Sequence, residues 1–175
     1  DRERYGLESG DAAGVLLVVG SDDNRVVGNS ITHGGDGFFI GNEWGAPSNR
    51  NYVAGNDGSY SPHNAFETTF SDGNVFVDNV ASYSDYGFWL GYSYNTRVTG
   101  NDIAGNATDG IAVEHGHDNE FDHNRIVGNQ SGIHLWDDGT PNSTDYAIHH
   151  NTIAENSIGV ILYGTDAVSM TLNII

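Results

Sequence analysis

Seven segments of this chain open on Gly or Ala and run into the same alternation of side chains, and this repetition limits the fold more than any other feature. The unit is most complete from Asn101 to Gly132, where it reads N-x-I-x-x-N-x3-G-I-x-V-x5-N-x-F-x-x-N. Its opening residue recurs at Gly14, Gly37, Ala65, Gly87, Gly110, Gly132 and Gly159, followed by pairs such as Phe38/Ile40, Phe88/Leu90, Ile111/Val113 and Ile133/Leu135. An Asn column follows at Asn29, Asn56, Asn79, Asn101, Asn124 and Asn151, at intervals of 15, 19, 14, 14, 14 and 19 residues from the opening position. Two residues past each Asn stands Ile31, Gly58, Ala81, Ile103, Ile126 or Ile153.

Each unit holds short segments of period-two alternation separated by Gly, Asn, Asp and Ser, which is strand and turn chemistry. One unit cannot bury its apolar face alone, whereas stacked units share a continuous interior. With 24 Gly and apolar residues spaced by two, a helical reading has no support. The expected fold is all-β: a right-handed, single-stranded parallel β-helix of about seven turns, with handedness taken from the chirality of parallel crossovers. Column Asn residues suit its bends, and their amides can bond to the neighbour one turn away as a ladder.

The N-x-I-x-x-N…G-I-x-L pattern resembles the parallel β-helix repeat of three groups: pectate-lyase-like proteins, the carbohydrate-binding and sugar-hydrolase β-helix group, and periplasmic copper-maturation β-helix proteins. The resemblance runs from about Gly14 to Leu172. It implies a fold directly and a function only broadly, because the repeat is scaffold. Tyr60-Ser61-Pro62-His63 is also similar to the Y-x-D-P-H stretch of mannuronan epimerases, with Ser61 in place of the family's Asp.

At 175 residues the chain reads as one domain, 1–175, with residues 1–13 as a cap or remnant turn and more solenoid expected beyond Ile175. The absence of Cys excludes disulfides and thiolate metal sites. A net charge of −18, with six Arg and no Lys, disfavours nucleic acid and anionic membrane surfaces as partners. No apolar run is long enough to span a bilayer. A dense carboxylate surface also suits high salt, and together these features point to an extracellular or cell-surface setting.

Two insertions, Glu43–Arg50 and Asp137–Thr144, leave the rod after the same strand and are expected to flank one outer face. In the first strand of each turn the outward rows read Leu16, Phe39, Glu67, Trp89, Ala112, His134, Ile161 and Val18, Gly41, Thr69, Gly91, Glu114, Trp136, Tyr163. Tyr92, His115 and Asp137 follow where the strand bends. Acids and His among flat rings are what a sugar cleft needs, so Glu67, Glu114, His115 and Asp137 are expected as acids and bases. Trp89, Tyr92, His134, Trp136 and Trp44 are expected to bind substrate.

His115 and Asp137 should lie roughly 5 Å apart at the backbone, and Glu67 and Glu114 roughly 11–12 Å apart, by strand spacing. Narrowed by their side chains, the latter gap approaches that of an inverting glycosidase. Elimination would need a cation near a uronate carboxylate, and Arg97 and Arg125 fall on other strands, so hydrolysis of a polysaccharide ranks above lyase or epimerase chemistry. Calcium held by Asp137, Asp138 or the Ser21-Asp22-Asp23 turn is a further expectation. Alternative readings are a non-enzymatic module that stacks end to end, and a copper-handling module with the His115-Gly116-His117 pair as a metal site. Of three sequons, at Asn106, Asn129 and Asn142, only the last falls in a loop free to carry a glycan.

Overall fold

Asparagine amides set the register of the whole molecule. Asn29, Asn56, Asn79, Asn101, Asn124, Asn151 and Asn173 form one unbroken column. The Oδ1 of each accepts both the backbone N–H and the Nδ2–H of the Asn before it, at 2.8–3.1 Å. Two shorter ladders run beside it: Asn24 to Asn51 to Asn74, and Asn106 to Asn129 to Asn156. The sequence reading placed the first column and expected the Asn106 and Asn129 amides to be engaged at repeated turn positions, as they are. The two shorter ladders are the remaining Asn positions of the same repeat, and their engagement explains why Asn106 and Asn129 are buried.

The computed structural model describes residues 12–41, 45–139 and 143–175. Within them every regular element is a strand, and no helix is long and apolar enough to cross a membrane. Successive coils contribute one strand each to a seven-stranded parallel sheet: Ala13–Leu17, Asp36–Ile40, Asn64–Thr68, Tyr86–Trp89, Asp109–Glu114, Ser131–Trp136 and Ile158–Tyr163. After a bend each coil enters a second seven-stranded sheet, which includes Arg97–Thr99, Glu120–Asp122 and Thr144–His149. A third sheet of Asp102–Ala104, Arg125–Val127 and Thr152–Ala154 completes the later coils. The chain is thus a parallel β-solenoid of about seven turns.

Register on the first sheet follows the repeat residue for residue. Phe66 faces Phe88, Phe88 faces Ile111, Ile111 faces Ile133 and Ile133 faces Val160. Their outward neighbours align as Glu67, Trp89, Ala112, His134 and Ile161. Inward residues fill the bore: Phe38, Phe66, Phe76 and Phe88 form an aromatic segment, with Phe66 stacked on Phe88 at 5.0 Å between ring centres. Side-chain volume is balanced within a coil. Where these rings are large, the residue two past the column Asn is Gly58 or Ala81, and a Cβ on Gly58 would sit 2.9 Å from the Phe66 ring. Where the bore holds Ile111 and Ile133, the same position is Ile103 or Ile126.

The opening glycines have a related cause. A Cβ on Gly110 would lie 2.7 Å from the Gly132 carbonyl oxygen and 2.6 Å from Ile126, so the close approach of neighbouring coils requires Gly there.

Candidate functional site

The coil corner after the first sheet carries residues in left-handed conformation, including Phe70, Tyr92 and His115, at φ of 50°, 54° and 52°. That turn swings their rings into a pile, Phe70 on Tyr92 at 4.6 Å and Tyr92 on His115 at 4.8 Å. The pile ends at carboxylates. His115 Nδ1 lies 3.2 Å from Asp137 Oδ2, and His115 Nε2 lies 3.3 Å from Asp138 Oδ1 and 3.8 Å from Glu114 Oε1. Sequence reading set His115 on an open face; the structure instead buries it to 1% exposure, because the left-handed corner turns the ring in under Tyr92.

Despite those short distances, neither ring nitrogen of His115 makes a hydrogen bond with a described residue. The oxygens are near enough but lie off the N–H direction. Two ligands of one ion are related in this way: bonds of about 2.0–2.1 Å at a tetrahedral angle separate donor atoms by about 3.3 Å. Each ligand then sits well off its neighbour's lone-pair axis. One donor atom each from His115, Asp137 and Asp138 falls within 4.8 Å of the others. Asp137 is buried and its Oδ1 accepts the Gly139 N–H at 2.7 Å, which aims Oδ2 at the ring. A cavity of about 370 Å³, lined by Asp137, Asp138, Gly139, Tyr163 and Gly164, opens this cluster to solvent.

Glu67 belongs elsewhere. It accepts a hydrogen bond from Asn64 Nδ2 and shares a cluster with Asp36 and His63. In that cluster the buried Asp36 carboxylate bonds to His63 Nδ1 at 2.9 Å. This bond is the chief cause that raises the His63 pKa above its ordinary value. The protonated pair therefore stabilises the fold fully below about pH 6.5, and that contribution is lost as pH rises through the raised pKa. In Asp36→Asn the titration of the His63 ring, followed by NMR, should fall back toward about 6.5; an unchanged midpoint would contradict the assignment.

Trp89, His134 and Trp136 come together as expected, with Tyr86 added. Trp89 meets Tyr86 and Trp136 edge to face at 5.0 and 5.5 Å, and His134 leans on Trp136 while its Nδ1 bonds the buried Asp109. These rings border a separate cleft of about 290 Å³. Tyr92 is not in it; its ring covers His115. Trp44, residues 1–11 of the expected cap and the Asn142 sequon lie outside the described residues.

Two other expectations are corrected. His117 does not join His115: its Nδ1 turns to Asp118 at 2.7 Å and its ring stacks on Tyr94. Asp22 and Asp23 are held by the Arg50 guanidinium at 2.9–3.1 Å, which supplies the positive charge assigned to calcium. Arg97 does fall on another strand, as expected, and there grips Asp122 through two nitrogens at 3.0 Å.

The family model of NosD, described as periplasmic copper-binding protein, matches residues 8–175. The chain belongs to the NosD family. No curated protein and no solved structure matches it. Among the described residues of this NosD-family chain, three His/carboxylate groups can hold a metal ion: Asp36/His63/Glu67, His115/Asp137/Asp138 and Glu120/Asp122/His149. Sequence reading missed Asp36, His63, Glu120, Asp122 and His149. The Asp before the opening Gly (Asp36, Asp109) and the His149-His150 pair were the available signals.

Proposed function

We propose that this chain is a copper-handling β-helix module of the exported cell envelope, with His115, Asp137 and Asp138 as its metal ligands. One observation carries the reading: neither nitrogen of the buried His115 imidazole hydrogen-bonds a described residue, while carboxylates of Asp137 and Asp138 stand at ligand-to-ligand distance from one nitrogen each. Leaving such a polar atom unpaired costs about 1–3 kcal/mol, and an ion bound at one ring nitrogen removes the cost there. The family's printed description supports copper as the ion.

The donor set decides the oxidation state. Imidazole with carboxylate suits Cu²⁺, whereas Cu⁺ favours thiolate and thioether, and the chain has no Cys and a single Met. Copper here is cargo held by nitrogen and oxygen, and the solenoid supplies the rigid spacing. His115 contributes the nitrogen, while Asp137, fixed by Gly139, contributes charge and orientation. Tyr92 excludes water from one face of the ring.

Equilibrium dialysis against Cu²⁺ tests this. Wild type should retain an ion that His115→Ala releases, and Asp137→Asn should weaken binding by about 10–100-fold. Equal retention by all three proteins would refute the site.

Polysaccharide hydrolysis by Glu67 and Glu114 draws no support from the family match. Glycan binding without catalysis retains one supporting feature, the cleft bordered by Tyr86, Trp89 and Trp136, whose rings offer apolar faces.

A further inference from the structure

A second histidine cluster lies on the other long sheet, and it begins with an anomaly of backbone conformation. The residue just before each column Asn is left-handed in every coil: Gly28, Gly55, Asp78, Gly100, His123, His150 and Leu172, with φ between 52° and 72°. Glycine adopts this region without strain, whereas most other residues do not. In two consecutive coils, histidine stands where glycine is the easier choice. The two rings stack in parallel, 4.9 Å apart and 1° from coplanar orientation.

Beside them, at the end of the strand Thr144–His149, His149 meets His150 Nδ1 to Nδ1 at 3.0 Å. The other nitrogen of His149, Nε2, lies 3.0 Å from Glu120 Oε1. A carboxylate only accepts, so Nε2 carries the His149 proton and donates it to Glu120. That leaves a lone pair on Nδ1, which accepts the Nδ1–H of His150. A carboxylate that takes the outer N–H and so aims the inner lone pair is the usual second shell of a metal-bound histidine.

Two imidazole nitrogens 3.0 Å apart also fit one ion, since bonds of about 2.0 Å at a right angle separate donors by about 2.8 Å and at a tetrahedral angle by about 3.3 Å. The nearby acids are not themselves ligands. Arg97 engages both Glu120 at 3.3 Å and Asp122 at 3.0 Å, offsetting one of their two charges, while His123 Nδ1 is held by Asp122.

We infer that His149 and His150 form a second, surface metal site, a two-imidazole pair for a borderline divalent ion of which Cu²⁺ binds most strongly. The ion takes the place of the proton between the two Nδ1 atoms. That proton leaves to solvent and His150 Nε2 takes one up, so the ring stays neutral and no net proton is released. Glu120 keeps the His149 N–H throughout, and His123 backs the His150 ring. The site is half exposed, unlike the buried His115, and so suits rapid loading and release.

The inference does not rest on the His115 assignment, and one titration separates the two. Purified protein is titrated with Cu²⁺ alone, counting bound ions by calorimetry and nitrogen ligands by EPR hyperfine structure. Wild type should bind two ions, one with a two-nitrogen signature. His150→Asn, which keeps a residue tolerant of left-handed backbone, should lose that signature and one equivalent, whereas His115→Ala should lose the other equivalent and keep the two-nitrogen signature. If His150→Asn and His149→Ala each bind as wild type does, the inference is overturned while the His115 site stands. If wild type binds no ion, both fall.

Discussion

Replacing Asn101 by Ala should destabilise the protein by about 3–5 kcal/mol, as much as removing a large core side chain. The reason is the number of groups that one amide satisfies. Its Oδ1 accepts the Asn79 N–H and Nδ2–H, and its Nδ2 donates to the Phe76 and Thr99 carbonyls as well as to Asn124. Asn79, Asn101 and Asn124 are all at least 98% buried, so water cannot replace the lost partners. Asn101→Asp keeps the acceptor but loses both donors and buries a charge, so it should fall on the same side. The control is Arg125→Ala, which breaks an ion pair to Asp102 in which both side chains are more than half exposed. Such a pair contributes about 0–1 kcal/mol. Urea unfolding measures all three; an Asn101→Ala midpoint near that of Arg125→Ala would contradict the ladder's role.

Phe66→Ala should cost a similar amount, about 3–5 kcal/mol, by a different route. The Phe66 ring packs on three others, with centres at 6.2 Å to Phe38, 6.1 Å to Phe76 and 5.0 Å to Phe88. Gly58 beneath it has no side chain to move into the space, and a Cβ there would also strike the Ala65 carbonyl at 2.6 Å. The cavity therefore stays open. Phe66→Leu, which refills part of it, should recover much of the loss in the same unfolding experiment. Equal losses for Ala and Leu would mean that ring stacking rather than filled volume sets the stability.

How far this molecule can be read from its sequence depends on whether a position repeats. Register on the first sheet was legible because Gly14 to Gly159 mark every coil, and predicted neighbours such as Glu67 beside Trp89 and Glu114 beside Trp136 are paired in the structure. The main Asn column was legible for the same reason. Burial of His115 was not, since a strand period of two says nothing about where a left-handed corner sends the next ring. Nor was the grouping of Glu67 with Asp36 and His63, which come from the start of the previous coil's strand and the loop before its own. The His149–His150 contact went unseen because its partner, Glu120, is a neighbour only after the second sheet is aligned. The copper reading needed both the buried geometry and the family match, because the repeat itself is scaffold.

The central claim is that the coil register assembles a copper site at His115, and paramagnetic broadening tests it most directly. Substoichiometric Cu²⁺ should erase the ring NMR signals of His115 and of Tyr92 stacked on it, while His33 and His63 persist. A His115 resonance that stays sharp as the others fade would contradict the account.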